Sequence, residues 1–428
     1  MTAGLGAELH RWIRELYPIG RSLTGDGVRE TLRRLAELLP LSVREVPSGT
    51  RVLDWTVPPE WNLRDAWIES SRGERVVDAR RSTLHVVGYS RPVRARLTLA
   101  ELRPHLFSLP DRPDWIPYRT SYYADGWGFC LTDRQLQALP DDRYEVCIDA
   151  TLEPGSLTYG ECELPGEVED EVLLSTHVCH PSLCNDNLSG MVIAAFLGQR
   201  LAARRRRHTY RLLFVPGTIG SIAWLALNES RVSRIAHGLV LTCLGDAGSP
   251  TYKRSRRGDA VIDRAAAHVL AARGRHRLLD FTPWGYDERQ YCSPGFDLPV
   301  GCLMRTPHGQ FAEYHTSADD LELVRPEALE DSLEIATAVL DLLDRNRLFV
   351  NRQPKGEPQL GRRGLYPSIG GGAQATEQLA LLWVLNLSDG RHSLLDIAQR
   401  AGLAFEAVAR AADALAAHDL LREVPAAR

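Results

Sequence analysis

The stretch Leu174-Ser-Thr-His177-Val-Cys179-His180-Pro-Ser-Leu-Cys-Asn-Asp186-Asn187-Leu-Ser189-Gly190 gathers two imidazoles and a carboxylate in a short space. Imidazole nitrogen and carboxylate oxygen are ligands that a borderline ion such as zinc accepts, at about 2.0–2.2 Å. An apolar run ends at His177, and Asp186-Asn187 reads as the start of a helix. These residues would then meet at the carboxyl end of a strand, where the loops of an open parallel sheet converge. Each also has an ordinary reading: Asp186 as a helix N-cap that satisfies free N–H groups, His177 as a hydrogen-bonded core histidine. A second stretch, Phe311-Ala-Glu313-Tyr314-His315-Thr316-Ser-Ala-Asp319-Asp320, places Tyr-His-Thr before an acidic pair, just after another apolar run.

The surrounding elements have to bring these two stretches together. Leu9, Ile13 and Leu16, then Val28, Leu32, Leu35 and Leu38, make apolar stripes that predict two helices, separated by Pro18, Gly20 and Gly25. From Ser48 to about Thr132, short apolar runs alternate with Pro and Gly clusters, which predicts a β-rich unit. Trp55, Trp61, Trp67, Trp115 and Trp127 are expected to form its core. From about Tyr144 to Arg347 continuous apolar runs alternate with helical stretches. Strands are predicted at 171–176, 210–215, 238–244 and 298–304, and helices at 188–204, 221–228, 260–273 and 326–344. The expected fold class is α/β, a three-layer sandwich on a mostly parallel mixed sheet. The expected domains are 1–45 with 135–350 for the sandwich, 46–134 for the β-rich insertion, 351–372 for a Pro-, Gly- and Arg-rich linker, and 373–428 for a winged helix-turn-helix.

A strand ending in His, an Asp-Asn-x-Ser-Gly opening a helix and a late Tyr-His-Thr-x-x-Asp together resemble the zinc aminopeptidases of the leucyl aminopeptidase and glutamate carboxypeptidase superfamily. More narrowly, the chain resembles bacterial polysaccharide-biosynthesis-associated aminopeptidase-like proteins with a β-rich insertion and a terminal winged helix. The resemblance implies a zinc exopeptidase-like fold with Asp186 as the bridging ligand of one or two zinc ions. It also makes His177 the first histidine ligand, His315 the last, and Asp246 the remaining carboxylate. Where such enzymes have an Asp two residues after the first histidine, this chain has Cys179, which makes His180 a competing ligand. Where they have a Glu-Glu pair, it has Phe214-Val-Pro-Gly217-Thr218-Ile219-Gly220-Ser221, and neither Thr218 nor Ile219 can take a proton from water near neutral pH. The run Trp284-Gly-Tyr286-Asp287-Glu288-Arg289-Gln290 resembles the place of a Ser-Asp-His near the site. It makes Glu288 or Asp287 the expected proton shuttle, with Arg289, Arg305 and Tyr314 expected to hold the substrate. Lys253, Arg254, Arg256 and Arg257 would line an entrance for an anionic substrate.

The net charge of -4 gives no nucleic-acid footprint. The apolar runs fall short of the roughly 20 residues a membrane span needs, so a soluble, cytoplasmic protein is expected. The cysteines form no Cys-x-x-Cys pair and are expected reduced and buried. The resulting expectation is zinc-dependent hydrolysis of an amide bond in a small peptide or aminoacylated metabolite, in a polysaccharide or secondary-metabolite pathway. Its rivals are an inactive metal-binding scaffold and a DNA-binding regulator. Residues 391–422 carry as many acidic as basic residues, so the terminal module is expected to serve protein contact or homo-oligomerisation rather than nucleic acid.

Overall fold

A computed structural model describes residues 4–365 and 373–425. Its largest sheet has eight strands, in the spatial order Ser42–Pro47, Ser156–Leu164, Thr209–Val215, Glu171–His177, Ile235–Leu241, Val300–Met304, Thr251–Lys253 and Arg277–Leu279. The four from Thr209–Val215 to Val300–Met304 run parallel, and antiparallel pairs flank them. Every residue of Glu171–His177 and Thr209–Val215 is buried. Strands that lose both faces must be covered from both sides, which explains their unbroken apolar runs and makes the unit an α/β sandwich. The helix Gly190–Ala202 packs on this sheet; ten of its residues are buried, so it shows no polar stripe.

The insertion is built on a four-stranded antiparallel sheet in the order Arg75–Asp78, Glu60–Ser70, Arg143–Glu153, Val93–Thr98. The last-but-one strand lies beyond residue 134, the boundary expected from sequence. Tyr144, Val146, Ile148 and Ala150 alternate inward along it, and it pairs over ten residues with Glu60–Ser70. The insertion thus extends to Glu153, and the main sheet resumes at Ser156. Only Trp61 of its five tryptophans is buried. Trp55 is 46% exposed, and the core is made instead by Ala66, Ile68 and the inward side of Arg143–Glu153.

The C-terminal unit carries the helices Ala373–Leu387, Leu394–Ala401 and Phe405–Ala417 and a three-stranded sheet. Leu348–Asn351 is the central strand of that sheet, between Asp389–Ser393 and Leu421–Val424. The start of the expected linker is therefore a paired strand, and residues 366–372 of it lie outside those described. Among the described residues, no helix is long and apolar enough to cross a membrane, and all eight cysteines are free thiols.

Candidate metal centre

The strand Glu171–His177 delivers His177 at its carboxyl end. The loop that follows brings back His180, and the segment Cys184–Ser189 presents Asp186. His177 Nε2 lies 2.8 Å from Asp186 Oδ1 and 3.1 Å from His180 Nδ1, and His180 Nδ1 lies 3.6 Å from the same oxygen. His315 Nε2 reaches the other oxygen, Oδ2, at 3.1 Å. Both histidines left as alternatives by the sequence thus face one carboxylate, with a third imidazole opposite. His177 and Asp186 are fully buried, whereas the His315 side chain is 33% exposed, so the cluster opens to solvent on that side. The donor atoms of His177, His180 and Asp186 all lie within 4.8 Å of one another, and so do those of Asp186, Cys243 and His308. Imidazole nitrogens around a buried carboxylate fit a divalent ion such as zinc.

Burial would raise the Asp186 pKa. The imidazoles of His180, His177 and His315 outweigh it and hold the carboxyl well below the usual range. Burial pushes His180 well below its ordinary pKa and lowers His308 too, which keeps both rings neutral and their lone pairs free.

The backbone under Asp186 is fixed by Asp319, whose carboxylate accepts the N–H groups of Asn185 and Asp186. Burial pushes Asp319 up to about 8, against the pull of those two amides. Asn187 donates to Thr176 Oγ1 and to the carbonyl of His177, tying the loop to its own strand. Gly190 is required by space, since a Cβ there would lie 2.5 Å from the carbonyl oxygen of Leu241. Cys243 and His315 adopt positive φ, 49° and 55°, a backbone conformation that side-chain-bearing residues hold only when surrounding contacts impose it. At His315 one such contact is visible: its carbonyl accepts the N–H of Tyr118 at 2.8 Å.

Several residues around the cluster were not found by sequence reasoning. Tyr118, from the insertion, packs edge-on against His180 and His315 with ring centroids 5.2 and 5.1 Å away. Tyr286 stacks on His177 at 3.7 Å and on His308 at 5.7 Å. Its hydroxyl lies 3.4 Å from the Cys179 thiol, which burial pushes up to about 12 and so keeps protonated. Tyr314, expected in substrate binding, stacks on His315 at 4.0 Å. Local patterns carry no sign of Tyr118 or Tyr286, because distant segments supply them. His308 follows the strand Val300–Met304 by four residues, and its position past a strand end was the available clue.

Other expected site residues serve different partners. Asp246 is not part of the cluster; its oxygens accept from Asn185 Nδ2, Thr306 N and Oγ1, and Gly248 N, and the donor atom that reaches Asp186 from this strand end is the Cys243 thiol. Glu288 is bound by Lys253 Nζ at 2.7 Å and by the Tyr286 N–H at 3.0 Å. Lys253 is 5% exposed and lines no entrance. Arg305 donates to the carbonyl of Gly248 and to Asp331, so it ties loop to helix instead of holding substrate. Arg289 has a buried Nε without a partner. Asp287 is bound to Ser221 through Oδ1, while its Oδ2 and the Nδ1 of His177 are both buried and unpartnered. Burial pushes Asp287 up to about 6, and the neighbouring His177 opposes the rise. Asp287 and His177 influence each other electrostatically, but no hydrogen bond joins the carboxylate to the ring.

Gly217, just before Thr218, leaves room for a ring. A Cβ on it would fall 1.9 Å from the Tyr286 ring.

This arrangement is that of an aminopeptidase-like protein. A zinc aminopeptidase from Bacillus subtilis shares the fold, with a TM-score of 0.56 over 79% of this chain and 95% of that one, at 13% identity. Residues 10–346 match the family described as "Domain of unknown function (DUF4910)", and residues 347–423 match a winged helix-turn-helix family. The chain is 50% identical, over 98% of its length and 97% of the other, to a Clostridium acetobutylicum protein named "Putative polysaccharide biosynthesis protein with aminopeptidase-like domain". A crystal structure of a "putative peptidase" from that organism has a TM-score of 0.94 and 48% identity, covering 98% of this chain and 96% of that one. The chain belongs to the DUF4910 family, with an aminopeptidase-like domain followed by a winged helix.

Proposed function

We propose that the chain is a zinc-dependent amide hydrolase acting on a small peptide or an aminoacylated small molecule. The observation that carries this reading is the convergence of His177, His180 and His315 on both oxygens of Asp186. These four residues would hold the ion. When bound, zinc supplies Lewis acidity that polarises a carbonyl and lowers the pKa of water toward about 7. His308, neutral through burial and with a ring nitrogen within 4.8 Å of an Asp186 oxygen, would accept the proton of the attacking water and return it to the amine leaving group. Tyr314 and Tyr118 bracket the exposed side of His315 and would position the substrate. The name of the Clostridium acetobutylicum relative supports a place in polysaccharide biosynthesis.

Thr218 and Ile219, neither of which can take a proton from water near neutral pH, favour a second reading, a metal-binding scaffold without turnover. Zinc analysis of the full chain, combined with release of p-nitroaniline from a panel of aminoacyl p-nitroanilides, separates the two. Hydrolysis is expected in zinc-loaded protein, absent after chelation and lost in His315→Ala. Retained zinc with no release from any member of the panel establishes the scaffold instead.

A further inference from the structure

A separate hollow lies beside the histidine cluster. A cavity of about 180 Å³ is walled by Arg21 and Ser22 from the loop after the first helix, by Trp61 and Leu63 of the insertion, and by Tyr118 and Pro181. Tyr118 belongs to both places, since the ring that lines this cavity also packs on His180 and His315.

Arg21 is the unusual member. It is 2% exposed, its Nε donates to the carbonyl of His180 at 2.9 Å and its Nη1 to that of Leu16 at 2.8 Å. Its Nη2 is buried with no partner, and the acceptors it has among the described residues are those two carbonyls and the Thr31 hydroxyl, none of them a carboxylate. A guanidinium cannot shed its proton at ordinary pH, so burying one without a counter-ion is unfavourable until an anion arrives. Ser22 is 4% exposed and its hydroxyl makes no hydrogen bond among the described residues. Arg64, Asp65 and Arg80 also line the cavity; both arginines are exposed and paired, with Asp149 and Asp65, so neither is free to fix an anion and the donors are left to Arg21 and Ser22. Trp61 and Leu63 add an apolar wall of the kind a methylene stem packs on.

We propose that this cavity binds a carboxylate at the end of a short methylene chain, with Arg21 and Ser22 as its donors, and thereby selects acidic substrates for the adjoining centre. The selectivity rests on the hydrolase reading; the binding does not.

The test is calorimetric titration of the metal-free full-length protein with glutarate, with its neutral diamide glutaramide and with inorganic phosphate. Glutarate is expected to bind and glutaramide not. Arg21→Lys, whose compact ammonium cannot serve two carbonyls and a ligand together, is expected to weaken glutarate at least about tenfold, the worth of one charge-assisted hydrogen bond. Should that variant not fold, Ala79→Leu, which adds bulk at another residue of the lining and leaves Arg21 unchanged, is expected to weaken glutarate as much. Equal binding of diacid and diamide, no glutarate binding, or glutarate binding that Ala79→Leu leaves intact overturns the proposal. Phosphate binding in glutarate's place overturns the methylene-carboxylate assignment. If glutarate binds and no amide is cleaved, the hydrolase reading fails alone. If neutral aminoacyl amides are cleaved and glutarate does not bind, this inference fails alone.

Discussion

Asp319 accepts the backbone N–H of Asp186 at 2.9 Å, so one buried carboxylate fixes the peptide that presents the other. The imidazoles hold Asp186 in its charged form, whereas burial and the neighbouring Asp186 charge push Asp319 up to about 8 despite its two backbone amides.

Asp319→Ala removes the acceptor of two N–H groups and frees the loop that carries Asp186. Zinc affinity, measured by competition with a chromophoric chelator, is expected to fall about 10- to 100-fold, the range seen when a residue behind a ligand is lost. Asp319→Asn, which keeps one acceptor oxygen, is expected to fall less. An Ala variant with wild-type affinity means that the bonds of Asn187 hold the loop unaided.

Gly217→Ala tests the packing of Tyr286. The added methyl would overlap a ring carbon at 1.9 Å, so the ring has to leave His177 or the strand end has to shift. Overpacking of this kind destabilises by about 1–3 kcal/mol, read as a lowered urea midpoint. An unshifted midpoint with the tyrosine fluorescence unchanged shows that the ring moves freely and does not hold His177.

The chemistry that could be read from the sequence is the part concentrated in short segments. His177, Asp186 and His315 each stand where a strand or loop end brings them, and their residue types are ones that a zinc ion accepts. His180 remained an alternative because no local pattern shows that the turn after His177 aims both rings at one oxygen. Asp246 lies three residues past Cys243, and the strand end in between has a positive φ at Cys243 that alternation cannot foresee. Glu288 was lost to Lys253, an ion pair formed across 35 residues. The same limit applies to the fold. The alternation of Tyr144, Val146, Ile148 and Ala150 is visible in the sequence, but its partner strand begins at Glu60, and pairing at that separation sets the insertion's true boundary.

Glu60 supplies a pH-dependent contribution that joins the opening helices to the insertion. Its oxygens lie 2.7 Å from Nη1 and Nη2 of Arg29, and it also accepts the N–H of Ser156. The Arg29 hydrogen bonds draw its pKa from 4.5 down to about 2. A depressed folded pKa gives stability that is complete above the unfolded value and lost as pH falls toward the folded one. Glu60→Gln is therefore expected to be less stable than wild type by on the order of 1–2 kcal/mol at neutral pH, partial exposure of the pair being allowed for. The gap is expected to shrink as pH falls from about 4.5 to about 2. A gap that stays constant through this window, in urea titrations of both proteins, removes the carboxylate from the account.

Arg211 allows a sharper energetic test, because its side chain and that of Glu171 are almost wholly removed from water. Its side chain is 2% exposed, and it bonds Glu171 and Glu161 at 2.6 Å and Glu163 at 2.7 Å, with Glu171 itself 3% exposed. Breaking a buried ion cluster by removing one partner is far more damaging than replacing the pair, because it leaves a desolvated charge behind. Arg211→Met is expected to destabilise by about 3–5 kcal/mol, and adding Glu171→Met to recover part of that loss. The recovery identifies the stranded carboxylate as the source. If the single variant unfolds within about 1 kcal/mol of wild type, as a surface pair would, water reaches the cluster. If the double variant is worse than the single one, the remaining charges of Glu161 and Glu163 dominate, and the ion pair with Glu171 is not the one that holds these strands together.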